Sequence, residues 1–400
     1  MTDNQRLQKA LAKIEKRKQR QREKGITEPS KFGYVMRDLI APLFRGAVSL
    51  MYPKSGCVLL GNINKRDIKQ LTRGSPVIYA VTHRGILDVP RIIAHAIPHS
   101  YLISGGESVF YCTANEYLLD LNGVLLFDRL DRIDRKLVIE RAYGILESNH
   151  SIHTYPEGIQ NVYGKHMLKL YPGVINMALN TGAIVVPVGN EIHILRDKQS
   201  GKIVGDINYT MYEDYFGGLS LFRPGDDIDL ATLHDHLNGF SYIDIVDSKK
   251  MERFICDGKF ICGSVVFDLD KKLQEFLTSY PKIINFSNKH TKGYLSQCAI
   301  LCEYNNMLLK SLSVLEARMT ELSDKINIEL DKRHPMSPEE RERNSREYAD
   351  YWLDVYMKSA KKGRMTIKNE LDRYINRTTD ESIIESVTNK VMQGLEILDN

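Results

Sequence analysis

Short apolar runs alternate along residues 57–190 with stretches whose apolar positions recur every three or four residues. Cys57–Gly61, Pro76–Val81, Ser100–Ser104, Leu121–Phe127, Ser151–Tyr155 and Ala183–Gly189 have the length and β-branched content of buried strands. Between them, helical spacing predicts helices near 65–72, after Pro90 (Ile92, Ile93, Ala96 and Ile97 on one face), over 107–120, after Arg129 (Ile133, Leu137, Ala142, Ile145) and over 173–181. Strands alternating with helices predict an α/β fold, a sheet with helices on its faces. Glu191 to Thr210 reads as a hairpin turning at Gln199-Ser200-Gly201, and 211–290 has no usable pattern. From about 295 the chain is helical. Leu308, Leu312, Leu315, Met319, Leu322 and Ile326 form a narrow apolar seam. Ser337-Pro338-Glu339-Glu340 then caps a helix carrying Tyr348, Trp352 and Val355 on one side, a stripe that reads as core, and further helices fill 366–398. The expected divisions are a basic arm (1–30), an α/β catalytic domain (31–240), a connecting region (241–295) and an all-helical C-terminal domain (296–400).

Charge changes this picture at one end only. Residues 1–24 hold nine Lys/Arg against Asp3, Glu15 and Glu23, a net of +6, so the other 376 residues carry −2 of the formal +4. Such an arm is either a solvated terminal helix or a segment drawn to anionic lipid. No aromatic residues accompany the charge, so nucleic acid is not an expected partner. The most apolar segment, 33–52, is interrupted by Arg37, Asp38 and Arg45 and broken by Pro42, which suits an interfacial or core helix pair better than a membrane span. With no run near roughly 18 apolar residues and no signal-peptide pattern, the expected location is the cytoplasm, with peripheral attachment to a membrane face. The six cysteines (57, 112, 256, 262, 298, 302) make no CxxC pair, so free thiols are expected and no metal site.

The candidate chemistry lies at strand ends. His83 follows the apolar run Pro76–Val81, and Asp88 stands five residues on, where a helix begins. A carboxylate meeting one imidazole nitrogen would fix the tautomer and leave the other nitrogen to take a proton from a hydroxyl. The same residues also read blandly, Asp88 as a helix N-cap before Val89-Pro90 and His83 as a satisfied strand-end histidine. Two other strands also end in charged side chains, at Asp128-Arg129 and Glu157. The recurrence of such groups at the sheet's end marks a site. Arg129 has its own bland reading, because Asp128, Asp131 and Asp134 alternate with arginines that could pair with them at a surface.

His83-x4-Asp88, Gly123-x3-Phe127-Asp128-Arg129, Pro156-Glu157-Gly158 and Val186-Pro187-Val188 follow one another in an order and spacing that resembles the four motifs of the glycerolipid acyltransferases, the superfamily of lysophosphatidic acid and glycerol-3-phosphate acyltransferases. The resemblance covers roughly residues 40–190. It implies the acyltransferase fold, a mixed sheet flanked by helices, and transfer of a fatty acyl group from a thioester of acyl carrier protein or coenzyme A to a hydroxyl of a glycerol phosphate or lysophospholipid. The thioester is a co-substrate, and no cofactor is implied. His83 would be the general base, Asp88 its partner, Arg129 the phosphate-binding group, and Glu157 with Gly158 the shapers of the acceptor site. Thr82 stands where asparagine is usual, Gly85 where serine is frequent, and Ile159-Gln160-Asn161 where Thr-Arg-Ser is usual, which removes one phosphate-binding charge. The rival readings are a lipid or thioester hydrolase using the same pair, and a non-catalytic lipid-binding scaffold. The resemblance implies the acyl donor and a glycerophospholipid acceptor as partners; the basic arm adds an anionic membrane surface, and the helical C-terminus is open to a protein partner, to lipid, or to a second copy of the chain joined through 308–326.

Overall fold

The computed structural model describes residues 12, 15, 16, 19, 31–85, 87–104, 123–127, 132–158, 160–161, 167–213, 255–256, 259–262, 265–268 and 294–360. Its centre is a seven-stranded mixed sheet in the order β1-β7-β6-β2-β5-β3-β4. These strands are β1 (Cys57–Leu60), β2 (Val77–Val81), β3 (Tyr101–Ser104), β4 (Val124–Leu126), β5 (Ile152–Thr154), β6 (Ile184–Arg196) and β7 (Ile203–Tyr212). Neighbours from β6 to β4 pair in parallel, whereas β7 runs antiparallel to β6 and carries β1 parallel to itself. The fold is the expected α/β arrangement. The helices are α1 (Lys31–Met51), α2 (Lys65–Leu71), α3 (Asp88–Arg91), α4 (Arg132–Glu147), α5 (Gly173–Thr181), α6 (Tyr294–Arg333) and α7 (Pro338–Ala360). Separately, β8 (Ile255–Cys256), β9 (Lys259–Cys262) and β10 (Val265–Asp268) form an antiparallel sheet.

β2 shows why its sequence is uniformly apolar. Ile78 and Ala80 point to one face, into a core shared with Val138, Ala142 and Ile145 of α4 and Val174 and Ile175 of α5. Val77, Tyr79 and Val81 point to the other, against Ile68 of α2 and Ile92, Ala96 and Ile97. A parallel strand covered on both faces has no solvent side and therefore no alternation. Fully burying one such side chain stabilises the fold by roughly 1.5–3 kcal/mol.

Two expectations need correction. The chain after Pro90 continues past α3 as a π-helical stretch, Ile92–Ala96, closed by Ile97 N–H donating to Ile92 C=O at 3.1 Å. The extra residue in the turn breaks the 3.6 period: Ala94 is buried, and Ile93 is only partly so. The seam on α6 is not an open surface for self-association. Leu308, Leu312, Leu315 and Met319 belong to the sheet's own core, and Ile326 packs with Leu60, Tyr209 and Leu330. The hairpin is as expected: β6 and β7 pair from Val188↔Tyr212 to Arg196↔Ile203, with a turn pinned by Asp197 Oδ1, which accepts from the Gln199 and Ser200 amides.

Candidate active site

Because five strands run in parallel, their C-terminal ends share one edge of the sheet, and His83 leaves β2 there. The antiparallel run of β7 brings the N-terminal half of that strand to the same edge, with Asp206 opposite Ile194 and Asn208 opposite Ile192. Asp206, Asn208 and Thr210 alternate with apolar residues and are all buried. Their polar face serves the site. Their apolar neighbours Ile207 and Tyr209 pack in the core that holds Ile326 and Leu330 of α6.

His83 Nδ1 lies 3.0 Å from Asp88 Oδ2. Asp88 is fully buried and is not the N-cap of its helix: that position is Leu87, which makes no side-chain cap. Its Oδ2 instead also accepts from the Arg84 amide at 2.6 Å, and its Oδ1 accepts from Asn208 Nδ2. With Nδ1 engaged by a carboxylate, the proton sits on Nδ1 and Nε2 is left as the basic nitrogen. Nε2 has no hydrogen-bond partner among the described residues, and the side chain is 19% exposed. Tyr155 lies against the imidazole, ring centroids 4.2 Å apart, and limits its rotation. Burial holds the Tyr155 hydroxyl well above its ordinary value, so the ring packs as a neutral group.

Beneath the dyad lies a buried brace. Arg84 Nε donates to Glu191 Oε1 at 3.0 Å and NH1 donates to Glu157 Oε2 at 3.2 Å, while Ser323 of α6 donates to Glu191 at 2.7 Å. Burial works against the charge on Arg84, but the two carboxylates outweigh it and hold the guanidinium above its ordinary value. One cation does not offset two buried anions, and burial pushes the Glu191 carboxyl up despite Arg84. Glu157 also accepts from the His83 amide (3.1 Å), Asn161 Nδ2 (3.2 Å) and the Leu168 amide (3.1 Å). It therefore pins the histidine backbone rather than presenting a free carboxylate. Gly158 sits beside it at φ +74°, a left-handed turn that suits glycine. A cavity of about 520 Å³ opens behind this brace, lined by Arg84, Asn161 and Glu191 together with Asn327, Arg341 and Tyr348 of the C-terminal helices.

Of the residues expected at the site, His83, Asp88, Glu157 and Gly158 are gathered at one strand edge, whereas Arg129 lies outside the described residues. Sequence reasoning missed Arg84, Glu191, Asn208, Asp206 and the α7 side chains. The first two left a signal, since a charge abutting an apolar strand needs a buried partner. Alternation over 206–210 reads as an ordinary half-exposed strand and left none.

Residues 62–191 match the family model for acyltransferases. A search of curated protein sequences finds no match. Among solved structures, the crystal structure of the 1-acyl-sn-glycerophosphate (LPA) acyltransferase PlsC from Thermotoga maritima is similar over 51% of this chain and 77% of its own, at 14% identity and a TM-score of 0.35. The buried dyad thus lies inside the one segment, residues 62–191, that is similar to the acyltransferase family.

Proposed function

We propose that this protein transfers a fatty acyl group from a thioester of coenzyme A or acyl carrier protein to a hydroxyl of a glycerol phosphate or lysophospholipid. The observation that carries the reading is the His83–Asp88 contact at 3.0 Å with Nε2 turned to no other described group. In the step inferred, Nε2 takes the acceptor's hydroxyl proton as its oxygen attacks the thioester carbonyl. The carbon–sulfur bond breaks, and the departing thiolate receives that proton from the imidazolium. Asp88 keeps the ring in the receiving tautomer and stabilises its charge, and no enzyme nucleophile is needed. Arg129 is proposed to bind the acceptor phosphate, through the planar fork that a guanidinium offers. Glu157 and Gly158 are proposed to set the floor of that site by fixing the backbone at His83.

A lysophospholipid acceptor resides in a membrane, and α1 supports peripheral contact with one. Val35, Leu39 and Leu43, spaced four apart, are 55%, 63% and 75% exposed, and Leu50 and Met51 are exposed beyond them. No helix among the described residues is long and apolar enough to cross a membrane. Incubation of the full chain with labelled palmitoyl-coenzyme A, with and without lysophosphatidic acid, tests the reading. Labelled diacyl product that depends on the acceptor is expected, and its rate falls by about 10²–10⁴-fold in His83→Ala. Free fatty acid with no diacyl product would instead assign a hydrolase, and full cellular function of His83→Ala would assign a scaffold.

A further inference from the structure

The C-terminal helix α7 reaches the dyad by two routes. Tyr348 donates its hydroxyl to Asp206 Oδ2, and Asp206 Oδ1 accepts from Arg91 NH1. The same nitrogen of Arg91 donates to Asn208 Oδ1 at 2.8 Å, and Asn208 Nδ2 donates to Asp88 Oδ1. Four groups thus connect α7 to the dyad's carboxylate, and all are buried, Asn208 and Tyr348 completely. Four residues beyond Tyr348, Trp352 Nε1 donates to Gln160 Oε1 at 2.5 Å, and Gln160 Nε2 donates to Gly85 C=O, inside the turn between His83 and Asp88.

The polarity of this chain fixes a direction. An amide side chain offers donors at one end and an acceptor at the other. Arg91 at Oδ1 therefore forces Nδ2 toward Asp88. Were Asn208 free to turn over, its oxygen would face the carboxylate and Asp88 would lose a donor. Arg91 is held for that task by Asp206, and Asp206 by Tyr348. Networks of this kind polarise along their length, so a change at one end is felt at the other.

We propose that Asn208 is a positioning residue of the dyad, and that Tyr348 on α7 sets it through Asp206 and Arg91, making the C-terminal helix part of the catalytic unit. This deepens the acyltransferase reading and rests on it. The test compares the full-length wild type with Tyr348→Phe, Asn208→Leu and the double variant, using palmitoyl-coenzyme A and lysophosphatidic acid. Tyr348→Phe keeps the buried ring and removes only the donor. It is expected to lower kcat about tenfold, the loss from one misdirected hydrogen bond, with KM changed less than twofold. On top of Asn208→Leu it is expected to add nothing, because residues in one network do not act independently. An unchanged kcat in Tyr348→Phe, even with a lower Tm, would overturn the proposal, as would independent, multiplying effects in the double variant. Should Tyr348→Phe fail to fold, Asp206→Asn interrupts the same chain one link nearer the dyad and is read in the same way. A second readout needs no turnover: in histidine-labelled protein the Nδ1–H resonance of His83, identified by its loss in His83→Gln, is expected to move in Tyr348→Phe. A resonance unmoved there overturns the positioning role. Absence of any acylated product from the wild type would defeat the acyltransferase reading, while the resonance still decides the network.

Discussion

Among the described residues Arg84 is the bulkiest side chain wholly enclosed, and it lies between two carboxylates. Arg84→Met removes the cation and leaves Glu157 and Glu191 buried without it. Loss of one partner from a buried pair costs about 3–5 kcal/mol, so this variant is expected to unfold at markedly lower denaturant in a urea titration. His153 presents a different case. It is buried, with Nδ1 2.9 Å from Ser100 Oγ and Nε2 without a partner, and burial pushes its imidazole down to about 3. The folded value lies below the unfolded one of 6.5. The unfolded chain therefore takes up a proton first as pH falls. The His153 contribution is complete above that value and shrinks toward pH 3, by roughly 2 kcal/mol at pH 5. Equilibrium unfolding at pH 7 and pH 5 is expected to show this difference in the wild type, and a smaller one in His153→Leu. Residues of this kind mark the limit of what was legible. His83 and Asp88 announced themselves by standing at the end of an apolar run. Asn208 did not, because an asparagine that alternates with isoleucine and tyrosine looks solvated until the element covering it is known.

Helix α6 shows the same limit at the level of elements. Its heptad-like spacing identified the buried positions correctly, since Leu315, Met319 and Ile326 have no exposure at all. It could not say against what they are buried, because a 3.5-residue seam fits a second helix or the face of a sheet equally well. Here the occupant is the chain's own core. Leu315→Ala is expected to destabilise the whole protein by about 2–5 kcal/mol, with a single unfolding transition in calorimetry. Two separate transitions, only one of them shifted, would show α6 to be independent of the sheet. The stretch after Pro90 failed in the opposite sense. Its type was legible, but a π turn moved the buried face by one residue, and nothing in the apolar pattern distinguishes that from a regular helix.

Among the described residues, the sheet is covered and one helix leaves its apolar face open. The sheet's two faces are occupied by α4, α5 and α6 on one side and α2 and the π-helical stretch on the other. Meanwhile α1 is tied down by Arg45, which donates to the Ile93 and Ile97 carbonyls at 2.6 Å each, while Leu39 and Leu43 face outward. Flotation with anionic liposomes is expected to carry the protein upward, and Leu39→Asp with Leu43→Asp to abolish most of that binding. High salt should remove only the share contributed by the basic arm, of which only residues 12, 15, 16 and 19 are described, because exposed charge is screened and apolar burial is not. At the turn that joins these parts, a side-chain carbon on Gly85 would stand 2.6 Å from Asp88 Oδ1, 2.9 Å from Ile192 Cγ2 and 3.1 Å from Asp206 Oδ2. Any side chain at this position, a serine included, would therefore force at least one of these groups to shift. Two of the three crowded groups, Asp88 and Asp206, belong to the hydrogen-bonded chain behind the dyad, so the bare α-carbon at position 85 is what lets that chain close up against the turn.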